Sequence, residues 1–428
     1  MKISVSSPDG LGDFVLRMPF FEALVQGGHE LQVWMRPPAS ELATALLRGV
    51  RVEMIGDDPY ARLVRFRRNP FRSELRKISA FAPDLLVIAL FQHSFFDEIC
   101  LAKLPRNLKL AGFRCMDGFW GTQANTPPQD IAERFAIRAE VKTSWPEAEK
   151  NRLLASAILG SSVPARPAKL SPPASALSEA RRVLQANGLE EKEYWVVCAG
   201  SRPGLEVKDW GEGNWSAALS RIASETQAAF VFLGNEAEAA SIDRIRAALP
   251  ESCKHFNLAR HPPAIVSTLG IIALSAGFVG RDSGPMHLAA ACGRPFLAIS
   301  SGWLWGRFFP ETQGSVIVSR SVPCQGCLGY CHLPEPFCVR RVSVEQFLEG
   351  WRLLQTGDLQ STHILEIPMA DDLRDEIAAK AHLRFPELAH EARRRVFEAG
   401  RSINLLDSVG IITRLIARRG YRKRFSRE

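Results

Sequence analysis

Short apolar runs recur along the first part of the chain. KISVSS, ELQVWM, RVEMI, DLLVIAL and LKLAGF are each followed by a longer helical or polar stretch. Strands that alternate with helices in this way predict a parallel sheet covered on both faces. Between the first two runs, DFVLRMPFFEALVQGG has helical spacing and ends in two glycines suited to a helix C-terminus. The pattern stops at VPARPAKLSPPASALSEARR, a Pro, Ala and Ser-rich segment without strand character. It predicts a linker leading into a helix over 176–187, with a domain boundary near Pro172. Alternation then restarts: YWVVCAG, a helix over 215–225, AAFVFLG, a helix over 236–249, GFVG, a short helix and PFLAIS. Two successive α/β domains are expected, 1–172 and 173–353. From Trp351 onward the sequence is charged and helix-favouring without clear strands, which predicts a helical, basic C-terminal extension over 354–428.

Length agrees with this division, because 428 residues exceed the roughly 250 to 300 at which one hydrophobic core stops growing. Hydrophobic residues at 46% and charged residues at 23% match soluble globular proteins, so the chain is expected to fold. MKISVSSPDGLGDF does not read as a signal peptide, and no apolar run is long enough for a membrane span. A cytoplasmic location is the expectation, with the nine cysteines reduced, buried or metal-bound.

Charge is unevenly spread. The net charge is +8, and residues 391–428 hold eleven Lys and Arg against four acids. A second basic cluster, ARLVRFRRNPFRSELRK, contains Arg65, Arg67, Arg68 and Arg72. Such patches suit an anionic partner, phosphorylated or membrane-associated, and equally suit a solvated helix face. Near the end, SVGIITRLIARRGYRKRF sets Ile411, Ile412, Leu415 and Ile416 on one helical face with arginines on the other. That pattern fits an interfacial membrane helix and also a helix docked on the protein's own surface.

Four constellations could carry chemistry. In GRDSGPMHLAAACGRP, Asp282 or Ser283 can cap a helix that Pro285 opens and Gly293 closes. His287 in the first turn is not explained by capping, and a helix start after a strand of a doubly wound sheet is an anion site. Cap and site stand level on these residues alone. In PDGLGDFVLRMP, Gly10 and Gly12 allow a tight turn and Asp13 stands at a helix start, as a general base or as a dipole-stabilising acid. In CAGSRPGLEVKDW, Lys208 follows a strand and a small-residue loop, suited to a phosphate or simply exposed. In PCQGCLGYCHLPEPFC, Cys324, Cys327, Cys331 and Cys338 fall within fifteen residues, which suits a structural zinc or iron site or a buried thiol cluster.

Taken in order, these segments resemble the heptosyltransferase family, glycosyltransferase family 9. GLGDFVLRMPFFEAL is similar to its N-terminal loop and first helix, and AGSRPGLEVKDW to its phosphate loop. FLGNEAEA is similar to its Gly-x-x-x-Glu segment, and GRDSGPMHLAAACGRP to its most specific motif. The resemblance implies a GT-B architecture, two facing Rossmann-like domains, and inverting transfer of a sugar without a catalytic metal or other cofactor. Heptose from ADP-heptose is the implied donor group, and a lipopolysaccharide core or other anionic glycolipid the implied acceptor. It implies Asp13 as the base, and Lys208 with Ser283, Gly284, Pro285 and Met286 as the diphosphate site. Asp282 and His287 would orient the sugar, and Glu238 would accept from the ribose. The basic cluster with Arg72 would meet the acceptor, and the basic C-terminus would contact the inner face of the membrane. No specific nucleic acid is expected. KDWGEGNW and ARHPPAIVSTLG depart from the family pattern, and the cysteine cluster resembles that of iron-binding protein heptosyltransferases. A protein acceptor, another nucleotide sugar, or a non-catalytic binding protein on the same fold are therefore the competing expectations.

Overall fold

The computed structural model describes residues 1–60, 71–90, 94–116, 133–142, 144–201, 206–304, 306–322, 325, 331, 333, 335–369, 371 and 375–377. The N-terminal half runs β1 (Lys2–Ser6), α1 (Leu11–Gln26), β2 (Glu30–Met35), α2 (Ala39–Leu46), β3 (Val50–Met54) and α3 (Arg72–Phe81). It continues with β4 (Leu85–Ile88), α4 (Phe95–Lys103), β5 (Lys109–Cys115), β6 (Phe135–Val141) and α5 (Glu147–Leu159). The C-terminal half runs α6 (Ala174–Ala186), β7 (Tyr194–Cys198), α7 (Glu212–Thr226), β8 (Ala229–Phe232), α8 (Ala239–Arg246) and β9 (His255–Asn257). It ends with α9 (Ile265–Leu274), β10 (Gly277–Arg281), α10 (Gly284–Ala291), β11 (Phe296–Ile299), β12 (Ser315–Arg320), α11 (Phe337–Arg340), α12 (Val344–Gln355) and β13 (Thr362–Ile367).

The strands form two sheets, ordered β3-β2-β1-β4-β5-β6 and β13-β12-β11-β10-β7-β8-β9. Every described pairing is parallel. In each sheet the first strand of the domain lies beside the strand at which the order reverses, β1 beside β4 and β7 beside β10. Loops leaving those strands diverge to opposite faces and open a crevice, which is where doubly wound sheets take ligands.

Burial explains the sequence pattern. β4, β8, β11 and β12 are buried at every position, so their continuous apolar runs have helices on both sides. Edge strands are harder to read. The charged character after Trp351 conceals THILEI, where only Ile367 is buried, yet β13 pairs with β12 along its full length. The expectation of no clear strand there is corrected: the C-terminal sheet continues past residue 353. β6, β9 and β12 were likewise outside the predicted series. β9 is a half-buried edge, β6 is an edge on which only Ala139 and Val141 are buried, and β12 is a fully buried run between the predicted elements.

One core serves both domains. Phe14, Met18 and Phe21 of α1 belong to the same apolar cluster as Met286 and Leu288 of α10 and Leu269 of α9. Each such side chain contributes about 1.5–3 kcal/mol by leaving water, so the domain boundary is a packed surface. The outer face of the C-terminal sheet has its own core, where Trp210, Trp215 and Phe347 meet edge to face or tilted with centroids 4.7–5.4 Å apart. The Trp210 indole N–H donates to the Val342 carbonyl at 2.7 Å, and Arg340 pairs with Asp209. These two ties fix the short segment after β7 that carries Lys208.

Replacing Trp210 by Ala should remove the ring contacts and leave the Val342 carbonyl without its donor. The expected cost is about 3–5 kcal/mol, read as a lowered urea midpoint for the C-terminal domain. An unchanged midpoint would mean that this aromatic cluster does not anchor the Lys208 segment.

Candidate active site

On the N-terminal side, the chain leaves β1 at Ser6, turns through Ser7–Gly10 and enters α1. Asp13 stands in the first turn of that helix, and its Oδ2 accepts the Gly10 N–H at 3.0 Å, as the capping reading expects. Its surroundings do more than cap. Asp13 keeps some solvent access while protein closes around it, and that burial, helped by the charges of Asp9 and Glu147, pushes its carboxyl up to about 7. Arg17, one turn further along α1, acts the other way. Its guanidinium is buried, forks onto Asp9 at 2.8 and 2.7 Å, and donates to Ser7 Oγ at 2.5 Å and Asn151 Oδ1 at 3.2 Å. A carboxyl that titrates near neutrality can take up a proton and release it at working pH. Arg36 at the end of β2 lies 5.3 Å over the Tyr60 ring, and its Nε donates to the Asp9 carbonyl at 3.4 Å.

On the C-terminal side the described lysine of the site stands against an acid. Lys208 Nζ donates to the Asp282 carbonyl at 3.1 Å, lies 3.5 Å from the Asp282 carboxylate and sits 5.2 Å over the Trp303 ring. Both partners stand at the switch point between β7 and β10. Ser283 precedes α10 in an extended conformation and its Oγ is buried without a partner. His287 is 3% exposed, its Nδ1 has no partner either, and burial pushes its imidazole down to about 4, against the pull of Asp282. The ring is therefore neutral at physiological pH. Two orphaned polar atoms at a helix start, where first-turn N–H groups are also unpaired, make a place for a polar ligand.

The two helix starts come together across the domain boundary. A Cβ at Gly12 would lie 2.7 Å from His287 Cδ2, and one at Gly284 would lie 3.0 Å from the Leu11 side chain. A side chain at Gly12 would force the His287 ring to move, and one at Gly284 would crowd Leu11. Asp13 and the α10 start are brought to one cleft in consequence.

The structure thus gathers Asp13, Lys208, Asp282, Ser283, Gly284, Pro285 and His287 around the domain boundary. The Met286 side chain is fully buried, so only its backbone faces the helix start. Glu238 lies 5% exposed behind the site: one carboxylate oxygen pairs with Arg281 and the other accepts the Asn235 N–H at 3.0 Å. Arg281 also donates to the Gly200 carbonyl. Arg72 is exposed at the start of α3, while Arg65, Arg67 and Arg68 lie outside the described residues, as does 378–428. Cys331 and Cys338 line a small apolar cavity with Trp303 and Phe337, whereas Cys324 and Cys327 lie outside the described residues. Among the described residues no cluster of His, Cys, Asp or Glu could hold a metal ion. Asp9, Arg17, Glu147, Arg281 and Arg307 were not singled out from the sequence. They are ordinary charged residues whose only signal is burial, and no local motif announces that.

Comparison with known proteins bears on most of the chain. The sequence model of a family described as Glycosyltransferase family 9 (heptosyltransferase) matches residues 118–333. No curated protein matches the sequence. Among solved structures, the ADP-heptose lps heptosyltransferase II of E. coli superposes with a TM-score of 0.59 at 18% identity, over 83% of this chain and 99% of that one. A glycosyl transferase family 9 protein of Veillonella parvula gives 0.63 at 13% identity, over 83% and 97%. The E. coli heptosyltransferase WaaC, solved with ADP, gives 0.53 at 16% identity, over 82% and 97%. At such identities the likeness concerns the fold: two α/β domains with parallel sheets, as GT-B implies.

The raised carboxyl of Asp13 has a consequence for stability. In the unfolded chain this group titrates near 4, and in the folded protein at about 7. Folding thus favours its protonated form: the stabilisation is complete below about pH 4, is lost as pH rises through 7 and changes no further above that. Asp13→Asn should therefore stabilise the protein most above pH 7 and least near pH 4, measured by urea unfolding across that range. A gain independent of pH would show that Asp13 does not titrate in this way.

Proposed function

Because the chain belongs to glycosyltransferase family 9, the heptosyltransferase family, we propose that it transfers heptose from ADP-heptose to a hydroxyl of a lipopolysaccharide core with inversion at the anomeric carbon. In this reading Asp13 takes the proton of the acceptor hydroxyl, the oxygen attacks the anomeric carbon, and the bond to the diphosphate breaks. Negative charge then builds on the leaving diphosphate. Lys208 and the first turn of α10 are the groups suited to stabilise it, because they are fixed before the reaction begins. The step needs no metal.

The observation that supports the reading is the polarity across the domain boundary: a carboxyl, Asp13, at the start of α1 in one domain, and Lys208 with the N-terminus of α10 in the other. Transfer requires that polarity, since the base acts at the acceptor and the cation at the leaving group. The donor assignment draws on the family's description and on WaaC, solved with ADP. We infer further that the reaction runs at the cytoplasmic face of the inner membrane, where a nucleotide sugar and a lipid-linked acceptor meet. The eleven basic residues of 391–428 suit that anionic surface.

A panel of nucleotide sugars, assayed for nucleotide release with and without a lipopolysaccharide-core acceptor, tests this directly. ADP-heptose should give acceptor-dependent release, with kcat/KM rising toward a plateau above pH 7 as Asp13 ionises. Asp13→Asn should lower kcat by about 10²–10⁴-fold while donor binding survives. Lys208→Met should cost about 10²–10³-fold. No acceptor-dependent release with any donor would remove the transferase reading.

A further inference from the structure

Behind Asp13 a second set of buried charges crosses the domain boundary. Glu147 opens α5, on the N-terminal side, and is 6% exposed. Its Oε1 accepts from Lys150 Nζ at 2.7 Å and from Arg307 Nε and Nη2 at 3.0 and 2.5 Å. Arg307 lies in the turn that follows β11 of the other sheet, and its carbonyl accepts the Glu147 N–H at 2.7 Å. At Glu147 the two domains are thus joined by a side-chain ion pair and a backbone hydrogen bond. The next turn of α5 continues the connection, because Asn151 Oδ1 accepts from Arg17 Nε, and Arg17 holds Asp9 one helical turn from Asp13.

We propose that Glu147 is a positioning residue of the transfer reaction, tying the docking of the two domains through Arg307 to the charge that Asp13 meets. The inference rests on the reading of Asp13 as the base. Asp13 is faced by Asp9 from its own loop, Arg17 from its own helix, Glu147 from α5, and the Tyr60 phenol from the segment after β3, while His287 from α10 packs on neighbouring Gly12. Of these, Glu147 is the one that, among the described residues, an ion pair bonds to the other domain. With the domains docked, Arg307 and Lys150 both offset its negative charge. With them apart, Lys150 alone remains and Asp13 faces a stronger anion. A closed cleft therefore releases the proton of Asp13 more readily than an open one, and the base is armed when donor and acceptor are enclosed.

The two partners make opposite predictions, which a merely structural role would not. Arg307→Met exposes Asp13 to an under-compensated Glu147 and should move the acidic limb of kcat/KM upward, by on the order of one pH unit. Glu147→Gln removes the anion while Arg307 and Lys150 stay, and should move the limb downward. In both, kcat should fall more than KM rises. Limbs that stay in place, or that move in the same direction, overturn the proposal. If Arg307→Met does not fold, Arg307→Lys takes its place: it keeps the charge and loses the fork, so its limb should stay at the wild-type position with a lowered kcat, and a displaced limb overturns the proposal. Carboxyl carbon-13 titration of Asp13 in the full-length protein, assigned by its loss in Asp13→Asn, reads the same shifts without turnover. Shifts that appear there but not in the rate profile would mean that the link exists and Asp13 is not the base. Absence of the shifts there overturns the link itself.

Discussion

Two helix starts, one from each domain, touch at residues without side chains, and the candidate site follows from that contact. A Cβ at Gly12 would intrude on the His287 ring and one at Gly284 on Leu11. The His287 ring is buried, and Leu11 is half-buried against the shared core. Close approach brings the N-terminal ends of α1 and α10 together, and both ends carry unpaired N–H groups with partial positive charge. Two positive helix ends in contact repel, and the arrangement is tolerable because α1 brings its own acid. Asp13 closes the first turn of α1 and, once ionised, neutralises it.

The acid comes at a cost that the surrounding charges regulate. Burial with Asp9 and Glu147 nearby opposes ionisation of Asp13, and Arg17 offsets only part of this. Asp97, buried beneath the same sheet end, is pushed up to about 6 although Ser6 and Ser94 donate three hydrogen bonds to it. The carboxyls of Asp13 and Asp97 are thus both pushed up by desolvation. On the opposite wall the imidazole of His287 is held neutral by the same physical cause. Desolvation therefore raises the Asp13 carboxyl and lowers the histidine, while Lys208 is held against Asp282 on that opposite wall.

Much of this was legible in the sequence, and the boundary of legibility has a physical meaning. Buried parallel strands announce themselves as continuous apolar runs, so β1, β2, β4, β7, β8 and β11 were found, while β13 was hidden because a sheet edge needs only one buried side chain. The motifs that place the candidate groups at chain turns are also readable: Asp13 and Lys208 follow strands, and Ser283 to His287 open a helix. What the sequence could not offer was pairing over distance. Arg17 and Asn151, Glu147 and Arg307, and Arg281 and Glu238 are far apart in the chain, and only the fold makes them partners. The last pair also changes the picture of Glu238, whose carboxylate is already engaged by Arg281 and the Asn235 N–H. Contact of that group with a ribose would require one of those bonds to be exchanged.

Division of the charges between domains has a kinetic logic on the proposed reading. A base and a leaving-group cation within one rigid domain would confront a bound donor with water as readily as with acceptor, and hydrolysis would compete. When the base belongs to one domain and the cation to the other, reactive geometry exists only after docking has expelled water. The shared apolar core supplies the force for docking but no register, since apolar contacts are not directional. Register comes from the polar elements at its rim: the fork of Arg307 on Glu147 and the steric match of Gly12 to His287. A rim made of charges has the further property that its state is felt at a distance, which a rim of methyl groups would lack. The acid at the centre of the site can therefore respond to the position of a domain to which it is not bonded.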